Sequence, residues 1–219
     1  MTVPSGSGIT RREAIQRVSA LLGGAVFVDG DALFAAAFDA HQQTAAAASG
    51  IGAFTAVDVA LLDDIADTIL PETSTPGARA AKTGAFMALM VTNVYTPRNQ
   101  QAFMEGLRQV DEACQRAHGV RFAQASAAMR LSLLETLDRE QKAAMDARAV
   151  VRPPRAPVPA ATTSDEPPHY FRMMKELTLL GYFTSEIGYT KAMRYLESPG
   201  RFDPCVPHAP GDKIWAAHA

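Results

Sequence analysis

Three aspartates, Asp63, Asp64 and Asp67, form the densest cluster of potentially reactive side chains in this 219-residue chain. On a helix Asp63 and Asp67 stand one turn apart, so the pair could hold a cation or divide the roles of general acid and base. A solvated helix face explains the same letters more simply and is the expected arrangement. Glu166-Pro-Pro-His169 has the Glu-x-x-His spelling of a di-iron bundle, but its two prolines forbid the helical turn that would bring both side chains to one face. The five histidines, at 41, 118, 169, 208 and 218, contain no pair at i, i+4 spacing. His118 reads as a helix C-terminal residue favoured by the macrodipole. Glu176 and Glu186 lie among aromatic residues and are expected to pair with Arg172, Lys175 or Arg194.

The common reactive signatures are missing from the sequence. There is no GxGxxG or GxxxxGK[ST] loop for a dinucleotide or nucleoside phosphate, no HExxH, no GxSxG and no CxxCH for haem attachment. No cofactor is therefore expected on this chain. Cys114 and Cys205 are too few for a disulfide framework and too far apart for a CxxC motif. An intramolecular bridge, a bridge from one of them to a partner subunit, and two buried thiols all remain open.

These residues need a scaffold, and the composition favours helices. The apolar fraction is 47%, much of it alanine, with one tryptophan. With 21 basic and 23 acidic side chains the net charge is −2, which supplies no electrostatic reason for a nucleic-acid or anionic-membrane partner. The first convincing helix opens at Thr55, an N-cap with Asp58 at N3, and Val57, Leu61, Ile65 and Ile69 form its apolar stripe before Pro71 ends it. Residues 71–82 are loop-like. Gly84 to Val94 reads as a short buried helix. Thr96-Pro97 opens a longer one through Phe103, Leu107, Val110 and Cys114 to His118-Gly119. Phe122 to Leu137 and Asp138 to Ala147 read as two helices separated by a cap at Asp138. Tyr170 to Gly181 and Thr184 to Leu196 read as a final pair.

Between them, residues 149–168 hold six of the fourteen prolines, an extended connector that either links helices through solvent or lies across a partner. The tail 198–219 holds four more prolines and the tryptophan, Trp215, which suggests a segment pinned to a surface of this chain or of a neighbour. The expected fold is mostly α: an irregular helical bundle at 54–219 with a long proline-rich connector and an extended C-terminal tail, preceded by a leader and alanine-rich linker at 1–53.

The leader carries Thr10-Arg11-Arg12 ahead of a weakly apolar stretch from Ile15 to Phe27. Arg11 and Arg12 match the start of a twin-arginine export signal, the kind that carries folded cargo. Ala14 and Gln16 depart from the consensus, and Asp29 and Asp31 interrupt the apolar run. A capping box, Thr10 with Glu13, is the structural rival. Cleavage sites of A-x-A type occur at Ala35 to Ala37 and at Ala45 to Ala47. Beyond the leader, no apolar run approaches the ~20 residues that span a bilayer.

Three strings carry a resemblance: Ile65-Ala-Asp-Thr-Ile-Leu-Pro71 with Thr75-Pro-Gly77, Leu180-Gly-Tyr-Phe-Thr-Ser-Glu-Ile-Gly188, and Gly200-Arg-Phe-Asp-Pro-Cys205. From Phe54 to Trp215 the chain resembles the gluconate 2-dehydrogenase subunit 3 family, the small subunits of flavin-dependent sugar and polyol dehydrogenases. The resemblance implies a non-catalytic subunit in a complex. Its large partner would be a flavoprotein of the glucose-methanol-choline type holding FAD, often accompanied by a cytochrome c subunit. It also implies a hitchhiker arrangement, in which the leader of the small subunit carries the folded partner to the periplasm. The expected contacts with that partner are Arg152, Pro153 and Pro154 in the connector, Tyr182 and Phe183, and Arg201, Phe202, Asp203, Pro204 and Trp215 in the tail. Two rival readings are a stand-alone periplasmic binding or scaffold module and a small enzyme built on Asp63, Asp64 and Asp67.

Overall fold

The computed structural model describes residues 40–41, 50–150, 167–198, 200, 205, 207 and 209–216. Five α-helices make up the body: α1 (Ala56–Ile69), α2 (Thr83–Asn93), α3 (Pro97–His118), α4 (Ala127–Val150) and α5 (Tyr170–Phe183). A 3-10 turn (Phe122–Gln124) leads into α4, and a π-helical turn (Gly188–Ala192) follows α5. The expected mostly helical, irregular bundle is what forms, and no strand is found among the described residues.

Local chemistry sets most of the boundaries. Thr55 and Asp58 form a reciprocal capping box at the start of α1. Thr96 caps α3 ahead of Pro97, and Gly119, at φ 75°, ends it in the left-handed conformation that lacks a steric penalty only for glycine. His118 sits in the last turn of α3, as the macrodipole favours.

Helix α2 is the centre of the bundle. Every residue from Thr83 to Val91 is buried, the pattern of a helix enclosed on all sides. Helices α1 and α5 pack against it most extensively, α3 packs on α5, and α4 closes the bundle against α1, α3 and α5. Phe86, Phe103, Phe122 and Phe171 are the largest fully buried side chains. Ala40, Ile51 and Phe54 belong to the same core, so chain upstream of α1 is part of the packed body.

Three expectations need correction. The buried face of α1 is Val59, Leu62, Ile65 and Ala66. Leu61 and Ile69 are only partly buried, and Val57 is 76% exposed, because α2 and α5 meet α1 one position round from the stripe read from the sequence. Asp138 does not divide two helices. It lies inside a continuous α4 and accepts a 2.6 Å hydrogen bond from Lys175 Nζ of α5, with Gln141 Nε2 a second donor. The second C-terminal helix is cut to the π-helical turn, after which Met193 is extended and Arg194 pairs with Trp215.

Candidate functional site

The three aspartates of α1 are neither a solvated face nor a free acid cluster; they are half-buried and tied to other elements. Helix α2 lacks a side-chain cap, since its N-cap residue Lys82 lies in the left-handed region at φ 53°. Asp63 supplies the missing acceptor from across the interface, taking the Gly84 N–H at 2.7 Å. Burial pushes the Asp63 carboxyl above its ordinary range, against the opposing pull of the Gly84 N–H and Arg79.

Asp64 is bound by two arginines. It pairs with Arg79 of the loop after α1 and with Arg130 Nη1 of α4 at 3.1 Å. Arg79 also reaches Asp67, at 3.6 Å. The remaining donors of Arg130 go to the Phe122 carbonyl at 2.9 Å and the Ala123 carbonyl at 2.7 Å, and its guanidinium lies 5.4 Å from the centre of the Phe122 ring. One arginine therefore fastens α4, the 3-10 turn and α1 together. Among the described residues no three His, Cys, Asp or Glu side chains are grouped to hold a metal ion. The cluster spends its charges on holding elements together.

Two of the three strings meet beside this junction. Tyr182 of α5 is buried and its Oη donates to the Pro76 carbonyl at 2.7 Å. The chain then folds back on itself: Ser185 Oγ donates to the Tyr182 carbonyl at 2.6 Å and accepts the Gly188 N–H at 3.0 Å. Both glycines of the string answer to close approach. A Cβ on Gly181 would stand 2.5 Å from Phe86 Cδ1, and one on Gly188 would stand 2.1 Å from the Tyr182 carbonyl oxygen.

His41 completes this region, which sequence reasoning missed. Its ring stacks on Phe86 with centroids 4.6 Å apart, and its Nε2 lies 3.0 Å from Thr184 Oγ1. The Thr184 hydroxyl also lies 2.7 Å from the Leu180 carbonyl, so the hydroxyl links the imidazole to the α5 backbone. Burial holds the His41 pKa below its ordinary value, opposed by a hydrogen bond to the Gly181 backbone. No periodic signal could have found the contact, since its partners lie far along the chain.

Further along, Glu176 pairs with Arg172 at 2.7 Å, one of the pairings expected for it. Burial raises its carboxyl despite that arginine.

Tyr182 is turned inward, whereas its neighbour Phe183 is 38% exposed. Trp215 is tied to Arg194 by two backbone hydrogen bonds, Arg194 N–H to Ile214 O and Ala216 N–H to Arg194 O, both 2.8 Å. Residues 214–216 are thus pinned to this chain's own surface. The indole is nevertheless half exposed, with the Arg194 guanidinium 5.5 Å from its ring centre. Cys114 is buried in α3, Cys205 is exposed, and the two are not joined. Arg11, Arg12, Arg152, Pro153, Pro154, Arg201, Phe202, Asp203 and Pro204 lie outside the described residues.

The family model for gluconate 2-dehydrogenase subunit 3 matches residues 56–200. The chain belongs to the gluconate 2-dehydrogenase subunit 3 family. That span takes in α1 to α5, the aspartate junction and the Tyr182 fold-back. No curated protein and no solved structure matches the chain. Among the described residues no helix is long and apolar enough to cross a membrane.

Proposed function

We propose that this chain is the non-catalytic small subunit of a multisubunit dehydrogenase, binding, stabilising and escorting for export a flavin-dependent sugar dehydrogenase of the glucose-methanol-choline type. Membership in a subunit family supports the assembly. The observation that carries the reading is the distribution of side chains. The distinctive residues, Asp63, Asp64, Tyr182, Gly188, are consumed in internal contacts, while Tyr195, Leu196, Ile214 and Trp215 stand about half exposed around the Arg194–Trp215 pairing. Large apolar side chains left outside a packed body mark a surface that a partner covers. Trp and Tyr are the residue types most often central to such interfaces.

In this reading FAD belongs to the partner, and a cytochrome c subunit accepts electrons from it in the same assembly. A cofactor-loaded flavoprotein crosses only in the folded state, so its address is supplied by Arg11 and Arg12 of the bound small subunit, and the complex resides in the periplasm.

A tagged chain expressed in its native host is expected to bring down an FAD-containing protein. Trp215→Ser with Tyr195→Ser should reduce that recovery at least tenfold without changing the melting temperature of the small subunit. Replacing Arg11 and Arg12 by lysine should leave the flavoprotein in the cytoplasm. A chain that never co-purifies with a flavoprotein refutes the assignment, and normal export of the doubly substituted chain refutes the escort role.

A further inference from the structure

The family match begins at residue 56, yet the packed body begins earlier. Ala40 is 4% exposed and belongs to the hydrophobic core. His41 beside it stacks on Phe86, which is fully buried, and hydrogen-bonds Thr184 at the end of α5. The contact falls on the string Leu180 to Gly188, next to Gly181, whose missing side chain leaves room for Phe86. Ala40 and His41 thus sit against Phe86 and the end of α5. Removing them would bare the Phe86 ring and leave the Thr184 hydroxyl without the histidine.

We propose that Ala40 and His41 are permanent parts of the folded body, so that maturation of this chain cuts no further in than residue 39. The proposal rests on the export reading, since it concerns where a leader is separated from its passenger. Of the two A-x-A sequences, only Ala35 to Ala37 is compatible with it: cutting after Ala37 leaves Phe38-Asp39-Ala40-His41 at the new terminus. Cutting after Ala47 strips the core of a buried alanine and a stacked histidine.

Intact mass and N-terminal sequencing of the chain recovered from its native host read this directly. The expected first residue is at or before Ala40, and Phe38 where a cut has occurred. A chain beginning at His41 or later overturns the proposal. Cell fractionation of the same sample judges the export reading separately. Full-length purified variants test the packing whatever the location. Ala40→Asp is expected to lower the melting temperature by about 5 °C or more, and His41→Ala by about 2–4 °C. Val57→Asp, at a 76% exposed position, should leave it unchanged. Melting temperatures of the Ala40→Asp and His41→Ala variants equal to that of the unaltered chain would overturn the proposal even for a protein that is never cut.

Discussion

Tyr182 Oη donates a 2.7 Å hydrogen bond to the carbonyl of Pro76, 106 residues away in the chain. The bond joins the loop after α1 to the end of α5, the two places where the sequence is most distinctive. The same loop sends Arg79 back to Asp64 and Asp67. A stretch of prolines, glycine and small hydroxylic residues, with no regular structure of its own, is thereby fixed from both sides.

Tyr182→Phe removes the donor and leaves the ring in place. A half-buried carbonyl loses its partner, at a cost of about 1 kcal/mol. For a chain of this size that corresponds to a melting temperature lower by about 2–4 °C. Thermal unfolding followed by circular dichroism reads the change, and an unaltered midpoint would mean that water replaces the tyrosine.

The two glycines of the Leu180 to Gly188 string should differ in tolerance. Gly181→Ala meets an aromatic ring, which can tilt, whereas Gly188→Ala meets a backbone carbonyl held by Ser185. Expected losses are about 1 kcal/mol for Gly181→Ala and about 3 kcal/mol for Gly188→Ala. Denaturant unfolding of both variants checks the order, which would reverse if the chain after Phe183 could shift freely.

What the sequence revealed and what it concealed divide along chain distance. Thr55 with Asp58, Thr96-Pro97 and Gly119 were legible because a cap satisfies groups within its own turn. Asp138 resembled a cap for the same local reason, but its partner Lys175 comes from another helix. The aspartates of α1 were readable as a cluster and not as a junction, because Gly84, Arg79 and Arg130 reach them from three other segments. His41 was invisible for the same cause. The distinctive strings pointed to the right region, and only the packing revealed that they hold each other.

Asp64→Asn tests whether the acid cluster is structural. The variant keeps the volume but removes the charge that Arg79 and Arg130 share. Arg130 is largely shielded and retains its two carbonyl partners, while Arg79 is half exposed and can turn to water. The expected loss is therefore about 1–2 kcal/mol, below the 3–5 kcal/mol typical of breaking a fully buried pair. Stability should fall while any dehydrogenase activity of an assembled complex stays unchanged. Lost turnover in a complex of normal stability would instead point to a chemical role.

His41 predicts a pH dependence of defined sign. Burial lowers its pKa in the folded chain, whereas in the unfolded chain it titrates at about 6.5. Between those two values the unfolded state binds the extra proton, so stability falls as the pH drops below about 6.5 and levels off once the folded pKa is passed. At neutral pH the imidazole is uncharged in both states and the effect vanishes. His41→Gln keeps an N–H for Thr184 and removes the titration. Melting temperatures measured from pH 7 to pH 5 should therefore decline more steeply for the unaltered chain than for His41→Gln, with the two curves parallel above pH 7. Parallel curves throughout would mean that the histidine is equally protonated in the folded and unfolded chains, which a ring stacked on a fully buried phenylalanine should not be.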